Sequence, residues 1–170
     1  MAMSTLRFPV AVTLRRTPLA NRWVSERWEP VAVELETEPS PPGPVKVADD
    51  AAGTRWRFGG QTIELHPSEA EGYQLNITSP DPKVFVMWRM AEDAGAEPAA
   101  VPVVVTASYS QAARMLDGGE QVDALPMPPG LLAWLQPFVA EHYKPEARKK
   151  VRRNDPFRDD REQRGRGSSR

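Results

Sequence analysis

The only paired glycine inside a strand-like stretch is Gly59-Gly60, in "WRFGGQTIELH". A glycine pair can cradle a phosphate when it leads into a helix whose N-terminal amides point at the anion. The next residues, "QTIELH", alternate polar and apolar and read as strand, and no Gly-Lys-Ser/Thr is present. The pair therefore reads as a two-residue hairpin turn, since glycine takes up positive φ without penalty. That turn would set Phe58 against Gln61, Trp56 against Ile63 and Arg55 against Glu64.

The other chemistry-bearing residues are few. His66 and His142 are the two histidines. Glu69 and Glu71 come after His66 in "HPSEAE", but metal sites recruit several ligands from rigid elements, and these acids fall in a turn. His142 falls at a helix end, where a basic side chain offsets the helix dipole. Ser108 and Ser110 flank Tyr109 at a helix start, with no Gly-x-Ser-x-Gly elbow, so capping accounts for them. Asp49-Asp50 and Asp159-Asp160 lie in an expected loop and in the tail, too loosely held for acid–base work. The absence of cysteine removes disulfides, thiolate nucleophiles and cysteine metal ligands. No catalytic residue, cofactor or metal ligand is assigned, and the chain reads as a non-enzyme.

Two regions have the composition of contact surfaces. Trp23 and Trp28 flank "VSER", beside Arg22 and Arg27, and aromatic residues with arginine dominate binding hot spots. The competing reading is that both rings seal the end of a barrel. The second region is the C-terminus. From Lys144 onward there are eleven Lys/Arg and five Asp/Glu, a net of +6, whereas the preceding 143 residues hold eleven and eighteen, a net of −7. Arg152, Arg153 and Phe157 in this tail are candidate docking residues. A protein partner is favoured over nucleic acid, because acids interrupt the tail and the rest of the chain is acidic.

The strands and helices that would carry these residues are read from periodicity. Leu6, Phe8, Val10, Val12 and Leu14 alternate as a strand with one buried face, and Pro9 places it near an edge or bulge. Val31, Val33 and Leu35 mark another strand. "ETEPSPPGPVKVADDAAG" reads as a long loop, and Tyr73, Leu75 and Ile77 as a strand. "KVFVMWRM" is apolar on both parities, which suits a central strand covered on both faces. "VPVVVTA" is a further strand. Ser108 and Gln111 form a capping-box pattern opening a short helix that Gly118-Gly119 stops. Pro128 and Pro129 open a second helix with Leu131, Trp134, Leu135, Phe138 and His142 on one stripe, and Pro137 should bend or split it. Trp56, Trp88 and Trp134 fit core stripes.

The expected fold is mostly β (α+β): a small antiparallel barrel or sandwich of about seven strands with C-terminal helices. By analogy it resembles a pleckstrin-homology-like barrel. Residues 1–143 form one domain, and 144–170 a largely disordered basic tail. With no stretch approaching the ~20 apolar residues of a membrane span and no signal peptide, the expectation is a cytoplasmic protein. Asn76-Ile77-Thr78 matches a glycosylation acceptor by chance.

The runs "FGGQTIELHPSEAEGYQLNITSPDPKVFVMWRM" and "ARMLDGGEQVDALPMPPGLLAWLQPFVAEHY", with the basic close, resemble a bacterial family whose members often lie beside formate dehydrogenase genes. Some members carry the label molybdopterin-guanine dinucleotide biosynthesis protein A. That label implies an α/β nucleotidyltransferase with a Gly-rich loop after its first strand. Here "LRFPVAVTLRR" runs into "TPLANRW" with no glycine, so no nucleotide-binding position transfers. The resemblance implies association with a molybdenum-dependent formate dehydrogenase, by genomic company rather than by chemistry. Together with the absent catalytic set and the charged tail, it sets the expectation of an accessory or adaptor role in maturing or assembling that enzyme. Its subunits or maturation factors would be the partners. The alternatives are an enzyme or carrier for a molybdopterin nucleotide, and a nucleic-acid-binding regulator using the tail.

Overall fold

A computed structural model describes residues 6–145. Seven strands form two antiparallel sheets. The first is ordered β2-β1-β4-β3, from β1 (Leu6–Pro18), β2 (Glu26–Leu35), β3 (Gly43–Asp50) and β4 (Gly53–Leu65). The second is ordered β6-β5-β7, from β5 (Lys83–Met90), β6 (Ala100–Thr106) and β7 (Gln121–Pro126). Helices α1 (Ala70–Ile77), α2 (Tyr109–Asp117) and α3 (Pro129–His142) complete the α+β fold.

The two sheets share a core. Val10, Val12, Leu14, Phe58 and Ile63 of the first sheet meet Val84, Val86 and Trp88 of the second, with Tyr73, Leu131, Leu135 and Phe138 of the helices. Burying a side chain of this kind contributes roughly 1.5–3 kcal/mol, so the helices are part of the core rather than an appendage to it. β5 is central and buried on both parities, as its sequence requires. Phe85, on its other face, meets Tyr109 of α2 with ring centroids 6.1 Å apart.

The barrel expectation is corrected. No strand ladder joins the two sheets, so each keeps its own edges and the layers meet through side chains. The pleckstrin-homology-like analogy falls with it. The architecture is an open two-layer sandwich into which helices pack.

Several elements also differ from the expectations set by periodicity. Gly59-Gly60 is not a hairpin turn, because β4 runs straight through it from Gly53 to Leu65. β1 lies opposite both halves, pairing Val10 with Gln61 and Val12 with Phe58, so the two glycines oppose the single residue Ala11. This is a β-bulge, with Gly60 at φ 70°. Tyr73, Leu75 and Ile77 lie on α1 rather than a strand: Tyr73 is fully buried, while Leu75 is exposed. The expected long loop contains β3, an edge strand paired only with β4. β7 forms between the two C-terminal helices, pairing Leu125 with Val84. The count of seven strands stands with different members.

The helix starts fall where their caps were read. The Ser108 side chain accepts the Gln111 N–H at 3.1 Å. α3 begins at Pro129 and continues through Pro137 without splitting. Trp134 is half exposed and leans on Phe8 at 5.3 Å, at the margin of the core rather than inside it.

Candidate functional site

The glycine pair binds an anion after all, but the anion belongs to the chain. Gly60 N–H donates to the Glu36 carboxylate at 3.2 Å, and Ser40 N–H donates to it at 3.0 Å. Arg57 stands 3.6 Å away. A Cβ on Gly59 would fall 2.6 Å from Ser40 Cβ, and one on Gly60 3.0 Å from Pro42 Cα. The missing side chains therefore let the β2–β3 loop lie down on the bulge. The Glu36 side chain is only 3 % exposed. Burial alone would raise its pKa, but the Ser40 and Gly60 donors and the Arg57 charge outweigh that and hold it below the ordinary 4.5. Glu29 is also held below 4.5, chiefly by the hydrogen bond from Arg15, with Arg27 assisting.

A carboxylate whose pKa is depressed by folding stabilises above its unfolded pKa, and that stability is lost as pH falls through the folded value. Thermal unfolding midpoints are therefore expected to drop as pH falls below 4.5. Glu36→Gln is expected to lower the midpoint at neutral pH, at a cost of about 1–3 kcal/mol for the mispaired buried donors, and to flatten the acid limb. A pH series of calorimetric scans on both proteins checks this.

The remaining candidates are held by structural bonds. Ser108 is wholly buried, and its hydroxyl donates to Glu69 at 2.6 Å. Glu69 also pairs with Arg114 of α2, which joins the turn before α1 to α2. His66 Nε2 instead lies 3.2 Å from Glu64, which Arg7 also approaches at 3.3 Å. Among the described residues no three His, Asp or Glu side chains converge as metal ligands. Glu64 and His66 line an open groove of about 330 Å³ between the second half of β4 and β6. His142 sits in the last turn of α3, its ring 4.4 Å from Phe138. Tyr73 lies in the core and its hydroxyl accepts the His66 backbone N–H at 2.9 Å. Burial pushes its pKa up to about 12, so it stays protonated.

The two tryptophans singled out in the sequence part company. Trp28 is 6 % exposed, and its indole N–H donates to Glu26 at 3.1 Å. Its ring belongs to the shared core: the sequence places it on a contact surface, and the structure places it among buried residues. Trp23 is 84 % exposed at the tip of the β1–β2 connection, with the exposed Val24 next to it. That tip is ordered by its own hydrogen bonds: Leu19 N–H to Ser25 O and Trp23 N–H to Asn21 Oδ1, both 2.9 Å. The Arg22 guanidinium lies 5.6 Å from the Trp23 ring centroid, within cation–π range.

Arg27 lies on the outer face of the first sheet, exposed, and donates to Glu29 at 3.2 Å. Strand register brings two further arginines to that face. Arg15 lies directly across from Glu29 on one side and from Arg55 on the other. Arg55 thus faces Arg15, and Glu64 faces Arg7, in place of the Arg55–Glu64 pair that a hairpin would have formed. Sequence reasoning missed Arg15 and Arg55 because their meeting depends on register alone. Arg152, Arg153 and Phe157 lie outside the described residues.

No helix of the described residues is long and apolar enough to cross a membrane. No curated protein and no solved structure matches the chain. A family model described as "Protein of unknown function (DUF3305)" matches residues 9–153. Since that match spans most of the chain, including every described strand and helix except the first residues of β1, the protein belongs to the DUF3305 family.

Proposed function

We propose that this protein is a non-catalytic adaptor that docks a protein partner through the β1–β2 tip. The observation that carries the reading is Trp23: a large apolar ring, 84 % exposed, held out on an ordered tip with Arg22 beside it. Exposing such a ring forgoes its burial, and a rigid aromatic beside arginine is the composition of a binding anchor. The groups that could do chemistry support the same reading, since Ser108 and Glu69 are engaged in joining helices.

For the partner we propose a subunit or maturation factor of a molybdenum-dependent formate dehydrogenase. The support for this is the resemblance of two long runs of the chain to a family found beside formate dehydrogenase genes. The basic tail around Arg152, Arg153 and Phe157 is the second proposed contact.

Trp23→Ala is expected to weaken partner binding by about 2 kcal/mol or more, roughly 30-fold, with no change in thermal midpoint because the ring is almost wholly in solvent. The test is affinity purification from formate-grown native cells, comparing the full chain, Trp23→Ala and a version ending at Tyr143. Formate dehydrogenase subunits or maturation factors should come with the full chain and be depleted with Trp23→Ala. Equal recovery with Trp23→Ala would remove the tip from the proposal. A pterin nucleotide retained by all three proteins, with no protein partner, would replace the adaptor by a cofactor carrier.

A further inference from the structure

We infer that the outer face of the four-stranded sheet is an acid-binding surface, which takes a carboxylate-rich segment of a protein partner across Arg15, Arg27 and Arg55, with Trp23 beyond its end. The inference rests on the adaptor reading and names the chemistry of the partner.

The face has two unlike ends. Toward Gly59 it is covered by the β2–β3 loop, and its arginine, Arg57, is balanced by Glu34 at 3.9 Å and Glu36 at 3.6 Å. Toward Trp23 the balance fails. Arg15 and Arg27 both rely on Glu29. Arg55 has no carboxylate within ion-pair distance among the described residues, and it is exposed directly across from Arg15. Arg15 and Arg27 thus share one carboxylate, Arg55 beside them is paired with none among the described residues, and Arg22 adds a fourth cation at the tip. The nearby acids are committed elsewhere. Glu26 pairs with Arg16 and the Trp28 indole, Asp49 with Thr54, and Asp50 with the Ala52 N–H.

Like charges directly opposite on one face of an antiparallel pair destabilise the sheet. Arg15 and Arg55 are such a pair, so the fold bears a cost that a bound anion would reverse. Arginine forks take carboxylates bidentately. The choice of occupant rests on charge. The first 143 residues carry a net of −7, a repulsion that grows with the charge of the ligand and so weighs more against a long polyanion such as nucleic acid than against a short acidic segment. A short acidic segment ending in apolar residues matches both the arginines and Trp23.

The test uses the full chain and a fluorescein-labelled peptide of Asp and Glu with two terminal leucines, read by anisotropy. An oligothymidylate of equal charge serves as competitor. The wild type should bind the peptide, more weakly as salt rises. Arg55→Glu should lose about tenfold or more, and Arg55→Lys, which keeps the charge but not the planar fork, should lose less than Arg55→Glu. Arg55→Gln should lose binding while its thermal midpoint equals or exceeds that of the wild type, an opposition that a merely structural arginine would not show. No peptide binding, undiminished binding by Arg55→Glu, tighter binding of the oligothymidylate, or a lowered midpoint in Arg55→Gln would each overturn the inference. Loss of the native partner on Trp23→Ala, together with any of these results, would leave the adaptor standing with a different partner chemistry.

Discussion

Asn76→Asp is expected to destabilise the protein by about 3–5 kcal/mol at neutral pH, the cost of an uncompensated buried charge. Asn76 is 3 % exposed, yet its amide makes three backbone hydrogen bonds. Nδ2 donates to Lys83 O at 2.7 Å and to Ala107 O at 2.8 Å, and Oδ1 accepts Lys83 N–H at 2.9 Å. One side chain thereby ties α1 to the start of β5 and to the segment between β6 and α2. An aspartate would keep the acceptor but set a charged oxygen against two carbonyls. Burial and those carbonyls raise its pKa, so protonation on folding returns part of the stability as pH falls. Asn76→Ala should cost less, about 1–3 kcal/mol, with no such pH dependence. Urea unfolding of both variants at neutral and mildly acidic pH checks the magnitude and the sign. The same bonds dispose of the Asn76-Ile77-Thr78 acceptor pattern, because the amide that would carry a glycan is already engaged inside the fold.

Gly53→Ala should cost about 3 kcal/mol, combining backbone strain with overpacking. Gly53 closes the β3–β4 hairpin opposite Asp50 with φ 124°, outside the range comfortable for an L side chain. An added Cβ would lie 2.2 Å from Arg16 O. That obstacle is backbone in the neighbouring strand, so no rotamer change relieves it and β4 must move away from β1. The register that sets Arg55 against Arg15 lies two residues further on. Gly53→Ala should therefore weaken acidic-peptide binding along with stability. Gly119→Ala is the control: it has φ 84° but nothing within 4 Å of the added carbon, so it should cost only the roughly 1–2 kcal/mol of a left-handed residue. Paired denaturation curves separate clash from backbone strain.

The glycine pair shows why some of the fold was legible in the sequence and some was not. A hairpin turn and a bulge both need a residue at positive φ, so Gly59-Gly60 satisfies either. The deciding factor is whether a neighbouring strand lies opposite both flanks, and β1, about fifty residues earlier, does. The run from Tyr73 to Ile77 is ambiguous for a related reason, since Tyr73 and Ile77 share a face at a spacing of two or of four. The contacts of Tyr73 and Asn76 choose the helix. β3 gave little signal because it is an edge strand exposed along most of its length, leaving Val45 and Val47 in solvent and no buried face to impose alternation. Trp23 and Trp28 have the same residue type five positions apart, yet one is in solvent and the other in the core.

Residue order alone settles the features that depend on neighbours along the chain. These are the alternation of β1, the doubly apolar β5, the Ser108 cap, the Pro128-Pro129 helix start, the absence of cysteine chemistry, and the opposed charges of body and tail. Contacts between distant segments settle the rest: an open sandwich in place of a barrel, the carboxylate held by the glycine bulge, and Trp23 left in solvent while Trp28 is buried. They also set Arg15 across from Arg55. Local patterns record a residue's own burial and capping. Register is fixed by strands far apart in the chain, and a single bulge changes which side chains meet beyond it.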